Sequence, residues 1–403
     1  MSKNIQLNPN NSASTLNIKN TKIKVCMLLW SDLKYDARVQ KEALTLAKEN
    51  YDVTIFTFAT HSIPETLKRI KLRHYQPHLQ LALNKIKNPS LRFFFKSIVY
   101  SPLYLRIIIN VISSKFDIYH AHDIFALPAL WLAAKIRKKK LIYDAHEVAI
   151  AQNISPYKTW VFKLIEKTLC PHVDQVITTT TLRAQLYVQY YNITQPAVLQ
   201  NRPLYQAAVS DNRLRKLLKL SENDFIVLYQ GALQVGRGLR NLIQVAKKLP
   251  YIHLVFIGQG DLEETLRNLS ANAQNIHFVK AISNHKLLNY TADADIGMQT
   301  LRNTCLNHYT TDSNKLFEYI MAGVPVIASD FPEIANIVRT YQVGLLVNPD
   351  NVEEIAAAID TLYSNKTLRL QLKQEAIAAA KTLSWEQQAN KLIELYQELT
   401  VSS

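Results

Sequence analysis

The feature that most constrains the fold is a strand–helix–strand pattern near the start of the chain. The apolar, β-branched run Lys22–Trp30 (KIKVCMLLW) predicts a buried strand. Ala37–Asn50 has apolar residues at helical spacing, and Asp52–Phe58 alternates as a second strand. Two strands joined through a helix pair in parallel, so the pattern predicts a βαβ unit and a parallel sheet.

The same pattern starts again in the second half of the chain, where a helix Leu239–Leu249 separates the strands Ile226–Tyr229 and His253–Ile257. The 403 residues are enough for two domains, each with its own core. We therefore expect an α/β fold of two doubly wound domains. The expected segments are a disordered tail (1–20), a first domain (21–200), a linker (201–212), a second domain (213–383) and a C-terminal helix (384–403).

The segment 310–330 (TTDSNKLFEYIMAGVPVIASD) predicts a polar loop, a short helix capped by Asn314, a stop at Gly323 and a buried strand. Small polar residues and Lys315 at the helix start offer backbone N–H groups to an anionic ligand. Glu318, in the first turns, has two oxygens that can accept hydrogen bonds from a sugar diol. The residues alone favour a plainer alternative, a capped helix whose glutamate faces water.

Polar clusters follow two successive predicted strands. The strand 116–121 (FDIYHA) leads into His122 and Asp123, and the strand 141–143 leads into the cluster 144–147 (DAHE). The carboxyl ends of parallel strands form the ligand-binding edge of an open sheet, so both clusters fall at that edge. A lone histidine at a strand end is more often structural, but two paired clusters favour a functional role.

Glycines occur in the loop 230–238 (QGALQVGRG), between a predicted strand and helix. Such a loop can bring backbone N–H groups and the guanidinium of Arg237 to a diphosphate, although the motif is weak alone. The loop 31–36, after the first strand, contains no glycine, so the glycine-rich cradle of a dinucleotide site is absent there.

The strings NKLFEYIMAGVPVIASD, FDIYHAHDIFALPA and LIYDAHE resemble glycosyltransferase family 4, whose GT-B fold has two Rossmann-like domains facing across a cleft. The resemblance extends over about residues 22–399. It implies that the second domain binds a nucleotide-sugar, that the first domain presents the acceptor, and that the last helix packs back on the first domain.

The resemblance also implies roles for single residues. Glu318 would bind the ribose, Arg237 the diphosphate, and His122, with His120 as the alternative, would lie beside the transferred sugar; His122, Arg237 and Glu318 are thus the catalytic candidates. The donor-side residues are Gly231, Arg237, Gly258, Ser313, Asn314, Lys315, Leu316 and Glu318. The acceptor-side residues are Asp32, Arg38, His120, Asp123, His146 and Glu147. Arg38, near a helix start, is equally typical of a solvated surface charge.

Two positions depart from the family pattern. Thr310 stands at the first glutamate of the Glu-x7-Glu pattern, and Ala232 stands at the first position of a basic pair, where Lys315 is a candidate substitute. Two alternatives to transfer are therefore a catalytically degenerate membrane- or anion-binding protein and a GT-B nucleotide-sugar epimerase. The complete NKLFEY string and the basic first half favour transfer.

The charge is concentrated in the first half of the chain. Residues 1–202 hold 28 Lys and Arg against 12 Asp and Glu, a net of +16, whereas residues 203–403 hold 19 against 20, a net of −1. A basic half indicates an anionic partner such as a membrane surface or a phosphorylated lipid. Nucleic acid is disfavoured, because no helix-turn-helix or RNA-binding aromatic signature is present.

The most apolar stretch, Leu91–Ser113, is long enough to cross a bilayer, but Arg92, Lys96, Arg106 and Pro102 argue against a spanning helix. Two interpretations remain: core helices of the first domain, or amphipathic helices in a membrane interface.

Three widely spaced cysteines and a polar N-terminus without an apolar signal region favour a reducing compartment, hence a cytoplasmic protein with possible attachment to the inner face of the membrane.

No metal or cofactor is expected, and the Asp293-Ala-Asp295 motif is attributed to solvated capping carboxylates. The sequence thus predicts a metal-independent, retaining glycosyltransferase. It would use a UDP-sugar in preference to a GDP-sugar and a glycan or lipid-linked acceptor, as in bacterial surface polysaccharide synthesis.

Overall fold

The computed structural model describes residues 22–58, 67–75, 89–151 and 155–401; the predicted tail lies outside these ranges. The first domain contains a seven-stranded sheet in the order β3-β2-β1-β4-β5-β6-β7, in which all neighbouring strands are parallel. Its strands are β1 (Lys24–Leu29), β2 (Asp52–Thr57), β3 (Lys71–His74), β4 (Ile118–His122), β5 (Lys140–Ala145), β6 (Gln175–Thr178) and β7 (Ala197–Val198).

Helices cover both faces of this sheet because the side chains of each strand alternate between two cores. Val25, Met27 and Leu29 of β1 face one core, while Cys26 and Leu28 face the other. Helices Ala37–Lys48 and Trp385–Val401 pack on the first core. The second core is covered by four helices, Pro89–Ser113, Leu127–Arg137, Pro156–Leu169 and Thr181–Tyr191.

The apolar stretch around 91–113 is one helix that contains Pro102. Ile107 and Val111 are fully buried in the second core, as the core interpretation predicts, whereas Leu105 and Ile109 are exposed. Within the described ranges, no helix is both long and apolar enough to cross a membrane.

The second domain repeats the architecture with six parallel strands in the order β10-β9-β8-β11-β12-β13. Its strands are β8 (Phe225–Gln230), β9 (Ile252–Ile257), β10 (Ile276–Val279), β11 (Ile296–Gln299), β12 (Val326–Ser329) and β13 (Gly344–Val347). Its helices are Arg213–Leu218, Leu239–Lys248, Glu263–Leu269, Asn284–Thr291, Leu306–Tyr309, Asn314–Met321, Pro332–Tyr341, Val352–Ser364 and Lys366–Thr382. The prediction of two doubly wound α/β domains is confirmed.

The last helix returns to the first domain, as predicted. The indole Nε1 of Trp385 donates to Oγ1 of Thr45 at 3.0 Å. Residues 200–211 have no helix or strand and connect the domains. The backbone N–H of Trp385 donates to the carbonyl of Pro203 in this connection, so linker and last helix are held together.

Candidate functional site

The carboxyl edge of the first sheet gathers most of the residues predicted on the acceptor side. In an open parallel sheet a crevice forms where the strand order reverses, here between β1 and β4. His122 ends β4 and is in register with Asp144 of β5. Helix 37–48 begins after β1 and carries Arg38 to the same edge. Arg38, His122, Asp144 and His146 therefore form one cluster.

Arg38 lies at the centre of this cluster with 2% of its side chain exposed. Its Nε and Nη2 donate to both carboxylate oxygens of Asp144, each at 2.8 Å, and its Nη1 donates to the carbonyl of Leu199 at 2.7 Å. Burial opposes its charged form, but attraction to Asp144 and Glu42 outweighs burial and raises the pKa of Arg38. Arg38 is thus a buried ion-pair residue and not a solvated surface charge.

Glu42 and Asp144 are the buried acids of the cluster, and they differ in protonation. Burial would raise the pKa of Asp144, but Arg38 and His146 hold it well below its usual range. Burial and repulsion by Asp144 raise the pKa of Glu42 to about 8, so Glu42 is a carboxylic acid near neutral pH. Glu42 was not among the predicted site residues. Its position four residues after Arg38, on the same helix face, is the signal that could have found it.

His120 and His122 point to the same face of β4, because side chains two apart on a strand share a face. Both are fully buried, with ring centroids 4.3 Å apart. The Nδ1 of His120 lies 2.8 Å from the hydroxyl of Tyr396, so this ring faces the last helix. The Nδ1 of His122 lies 3.4 Å from Oδ2 of Asp144. Burial lowers the pKa of both histidines, so both are neutral near pH 7.

His146 is the histidine of the cluster that reaches solvent, with 17% of its side chain exposed. Its Nε2 lies 3.2 Å from Oδ2 of Asp144, and its Nδ1 lies 3.5 Å from Asp123 and 3.9 Å from Asp36. Burial favours the neutral ring, but attraction to Asp123 and Asp144 prevails and raises the pKa of His146 to about 10. A positively charged imidazolium therefore stands at the rim of the crevice.

The two remaining acceptor-side predictions lie further out on the same edge. Asp32 accepts a hydrogen bond from the backbone N–H of Lys34 at 3.0 Å and thereby caps a short turn, Leu33–Tyr35. Glu147 is exposed in the loop that follows β5.

On the second domain, Glu318 belongs to a chain of three polar side chains. Its Oε2 accepts a hydrogen bond from Nε2 of Gln230 at 2.6 Å, and Oε1 of Gln230 accepts one from Oγ1 of Thr291 at 2.7 Å. Burial raises the pKa of Glu318, although the Gln230 hydrogen bond and the charge of Lys315 partly offset it. Gln230, at the end of β8, fixes the carboxylate; it was not among the predicted site residues, although it is the first residue of the glycine-containing loop 230–238.

Lys315 lies close to this glutamate, and Arg237 lies close to Lys315. The Nζ of Lys315 lies 3.9 Å from the ring centroid of Tyr229 and 3.5 Å from where a Cβ at Gly231 would be. Burial, followed by repulsion from Arg237, lowers the pKa of Lys315 well below its usual range. Within the described part of the chain, neither Arg237 nor Lys315 forms an ion pair, so the pair is suited to an added anion.

Unusual backbone geometry occurs at two predicted donor-side residues, which lie in different loops. Gly258 has φ +155°, and a Cβ there would lie 1.9 Å from the carbonyl oxygen of Gly231, so only glycine fits. Ser313, at φ +54°, is the residue that precedes helix 314–321. The prediction of Asn314 as the cap is therefore wrong by one position, because the chain turns earlier and Asn314 is already helical. The side chain of Leu316 is fully buried in the core, so of this predicted donor-side residue only the backbone could contact a ligand at the helix start.

The two halves of the site approach each other at Lys41. Its Nζ donates to Oδ1 of Asn201 at 2.9 Å and lies 5.0 Å from the ring of Trp385. Burial, then repulsion by Arg38, lowers the pKa of Lys41 to about 7, while attraction to Glu318 of the second domain opposes this shift. Lys41 thus connects the acceptor-side cluster electrostatically with the donor-side glutamate.

Thr310, at the position of the missing family glutamate, has a structural role. Its carbonyl accepts a hydrogen bond from Oγ1 of Thr180 at 2.8 Å, which joins the two domains. Ala232 is exposed, and its carbonyl accepts a hydrogen bond from the hydroxyl of Tyr229 at 2.8 Å.

One group of side chains has the composition of a metal site. Single ligand atoms of Glu42, His120, His122 and Asp144 lie within 4.8 Å of one another. The guanidinium of Arg38, however, is bonded to Asp144 and lies 3.0 Å from Glu42, so a positive charge already balances these acids. The donor set therefore does not fit a cation unless Arg38 leaves.

The Asp293-Ala-Asp295 motif is structural, but its carboxylates are not solvated as predicted. Asp293 is buried and accepts hydrogen bonds from Ser210 and from the backbone N–H groups of Asn212 and Leu214. Asp295 binds Arg215 at 3.1 Å. The motif fastens the linker to the second domain, which explains the two acids without a metal.

Two family models match adjoining parts of the chain. Residues 38–201 match Glycosyltransferase Family 4, and residues 210–379 match Glycosyl transferases group 1. The chain is therefore a glycosyltransferase with a Glycosyltransferase Family 4 domain followed by a Glycosyl transferases group 1 domain. The D-inositol 3-phosphate glycosyltransferase of Rhodococcus erythropolis is 23% identical to it over 396 residues, which cover 90% of this chain and 86% of the relative.

Solved structures agree on the fold of this glycosyltransferase. The Anabaena protein HepE in complex with UDP superposes with a TM-score of 0.72 and 16% identity, covering 93% of this chain and 100% of that one. WaaG, a glycosyltransferase involved in lipopolysaccharide biosynthesis, superposes with a TM-score of 0.68 and 14% identity, covering 92% and 99%. The predicted GT-B architecture is confirmed.

Proposed function

We propose that this glycosyltransferase moves a sugar from a UDP-sugar to a glycan or lipid-linked acceptor, with retention of anomeric configuration and without a bound metal. The observation that carries the donor half is the pair of neighbouring basic side chains, Arg237 and Lys315, with Lys315 close to the fixed carboxylate of Glu318. Two basic side chains that form no ion pair with any described residue suit a diphosphate, whose charge would favour the protonated form of Lys315, and a carboxylate held by Gln230 suits the hydroxyls of a ribose.

The donor loop compensates for the missing first basic residue. Lys315 places its Nζ next to Gly231, the residue before Ala232, so its charge occupies the region where the family places a basic side chain. As the bond to the leaving diphosphate breaks, negative charge grows on that group. Arg237, Lys315 and the start of helix 314–321 would stabilise this charge with positions fixed in advance. UDP is the expected nucleotide, in keeping with the UDP complex of HepE.

On the acceptor side we propose that His122 lies beside the transferred sugar, as its family position implies. Its Nε2 has no hydrogen-bond partner among the residues that the structure describes, and because the ring is fully buried, a hydroxyl would reach this atom only after the packing around it opens. His146, the imidazolium that partly reaches solvent, would orient the acceptor or donate to it. Asp144 contacts both rings, and Arg38 is hydrogen-bonded to Asp144. These two residues would therefore act as positioning residues.

The setting we propose is the synthesis of a bacterial surface polysaccharide at the cytoplasmic face of the cell membrane. Two observations support it: the basic first half of the chain, and the similarity in fold to WaaG, a glycosyltransferase involved in lipopolysaccharide biosynthesis. Nucleic acid is not a proposed partner.

The decisive experiment is a thermal-shift panel with UDP, GDP, ADP and their common sugar conjugates. A ligand at a hundredfold its dissociation constant stabilises a protein by roughly 2.7 kcal/mol, which moves the melting temperature by several degrees. We expect UDP and one UDP-sugar to stabilise the wild type and Glu318→Ala to lose at least about tenfold in affinity. Glu375→Ala, an exposed glutamate on helix 366–382, is the matched control.

The outcomes separate the alternatives. Stabilisation by no nucleotide would overturn the donor site and favour a degenerate, binding-only protein. If a UDP-sugar binds but changes into its epimer in the absence of any acceptor, the protein is an epimerase. Detection of a transferred sugar by mass spectrometry, with the anomeric configuration read by NMR, would establish retaining transfer.

A further inference from the structure

The four helices on one face of the first sheet have an unusual charge composition. Helices 89–113, 127–137, 156–169 and 181–191 contain a single acidic residue, Glu166. Glu166 is fully buried and accepts hydrogen bonds from the hydroxyls of Tyr143, Tyr187 and Tyr191. The outward surface of these helices, where the structure describes their side chains, therefore presents no carboxylate of its own.

Large apolar side chains are exposed on the same surface. On helix 156–169, Tyr157, Trp160 and Leu164 are 68%, 61% and 50% exposed, and they recur at the spacing of one helix face. Leu132 and Ile136 are exposed on helix 127–137, which contacts helix 156–169. By contrast, helix 37–48 on the opposite face of the sheet has no exposed large apolar side chain.

Basic residues accompany these apolar side chains. Lys158, Lys163 and Lys167 are exposed on helix 156–169, and Lys135 is exposed on its neighbour. Long lysine side chains can place their ammonium groups at lipid headgroups while their methylenes cover apolar surface. Exposed tryptophan and tyrosine rings are typical of the membrane–water interface.

We propose that this outer helical face, formed by Leu132, Ile136, Tyr157, Trp160, Leu164 and the lysines of helix 156–169, docks on the surface of an anionic lipid bilayer. The aromatic rings would enter the headgroup region and the lysines would bind lipid phosphates. A protein partner or a second copy would also cover apolar rings. However, a basic surface without its own carboxylates repels a like copy and complements an anionic surface.

The position of this face would bring the crevice of the first domain close to the membrane. Helix 156–169 starts on the carboxyl side of β5, whose end carries His146, so Tyr157 and Trp160 lie near the crevice edge of the domain. Docking there would bring the crevice to the headgroups, where the saccharide of a lipid-linked acceptor is found. The proposal rests on the proposed function only for this choice of acceptor. Membrane docking itself does not depend on the proposed function and is tested separately.

The test is co-sedimentation of the full chain with phosphatidylcholine vesicles and with vesicles that contain phosphatidylglycerol. We expect binding to the anionic vesicles alone. A lysine near an anionic surface contributes about fivefold to partitioning, so Lys158→Glu/Lys163→Glu/Lys167→Glu should reduce it by at least roughly a hundredfold. Trp160→Ser should reduce it about tenfold or more and abolish any lipid-induced blue shift of its fluorescence.

Matched controls come from the second domain. Lys366→Glu/Lys373→Glu/Lys381→Glu has the same change of charge on helix 366–382, and Leu370→Ser removes an exposed apolar side chain there. Both should bind vesicles like the wild type. Equal loss in the control triple variant would mean that net charge alone acts, and this would overturn the proposed face.

Two further outcomes would also overturn the proposal. One is wild-type protein that binds neither kind of vesicle; the other is a concentration-dependent dimer by light scattering that Trp160→Ser dissociates, which assigns the face to a second copy. UDP-induced thermal shifts, measured on all variants, distinguish the two proposals. Normal UDP binding without vesicle binding leaves the proposed function standing while the membrane face fails.

Discussion

The carboxyl edges of the two sheets differ in whether their charged side chains have partners within the protein. On the first domain, each charge of the cluster has a partner within the protein: Arg38 pairs with Asp144, and His146 lies among Asp144, Asp123 and Asp36. On the second domain, Arg237 and Lys315 repel each other beside a single hydrogen-bonded glutamate. One edge is internally neutralised, and the other has two basic side chains without an ion-pair partner among the described residues.

This difference shows which edge is built for stability and which for a charged ligand. A buried ion pair constrains its members, because removal of either one leaves an uncompensated charge in a low-dielectric interior. Burial and repulsion by Arg237 disfavour the charged form of Lys315, and a bound anion would favour it, so these basic groups are suited to ligand binding and not to folding. The following predictions test this contrast, from the largest expected effect to the smallest.

The largest effect is expected on stability at Arg38. Arg38→Ala leaves Asp144 buried without its guanidinium and should lower the free energy of unfolding by about 3–5 kcal/mol, measured by urea denaturation. Arg237→Ala should change it by less than about 0.5 kcal/mol, since this side chain forms no ion pair with any residue that the structure describes. Similar losses in the two variants would contradict the contrast between the edges.

His122→Ala should reduce turnover about a hundredfold while leaving the dissociation constant for UDP nearly unchanged, because the ring belongs to the first domain. Steady-state kinetics and calorimetry measure the two quantities separately. His172→Ala, an exposed histidine of the same domain, is the control and should match the wild type. A parallel loss of UDP affinity would place His122 in nucleotide binding.

The stability of the first domain should depend on pH through Glu42. Its folded pKa, about 8, lies above its ordinary value, so the folded state holds a proton that the unfolded chain releases. The resulting stability is fully present below the unfolded pKa and is lost as pH rises through the folded pKa. Glu42→Gln should therefore gain stability relative to the wild type from pH 5 to 8, by up to about 1.4 kcal/mol per pH unit.

Urea denaturation at each pH measures this difference, and Glu375→Gln is the exposed control. Parallel pH profiles for wild type and Glu42→Gln would mean that Glu42 is ionised in the folded protein.

The smallest effect is expected from chelators. Arg38 already balances the acids of the first domain, and Arg237 and Lys315 would bind the diphosphate on the second. EDTA should therefore not change the transfer rate. A loss of activity that Mg²⁺ or Mn²⁺ restores would contradict metal-independent transfer.

Much of the fold could be predicted because its signals are local. Period-two and helical patterns located β1, β2, β8 and β9, and they led to the two doubly wound domains that the structure contains. The string around Glu318 and the clusters after β4 and β5 marked the two edges correctly. The cap at Ser313 was missed, because a serine in the left-handed region has no distinctive sequence signal.

The sequence by itself determined which elements form and which strand ends carry reactive side chains, since both follow from spacing along the chain. Only the tertiary structure decided which side chains are buried and with what partner. Arg38 meets Asp144 across 106 positions, and His120 meets Tyr396 across 276. Such pairings depend on how helices close over a sheet, and desolvation then sets the charge of Glu42, Lys41 and Lys315. No local pattern contains that information, because burial is a property of the packed molecule.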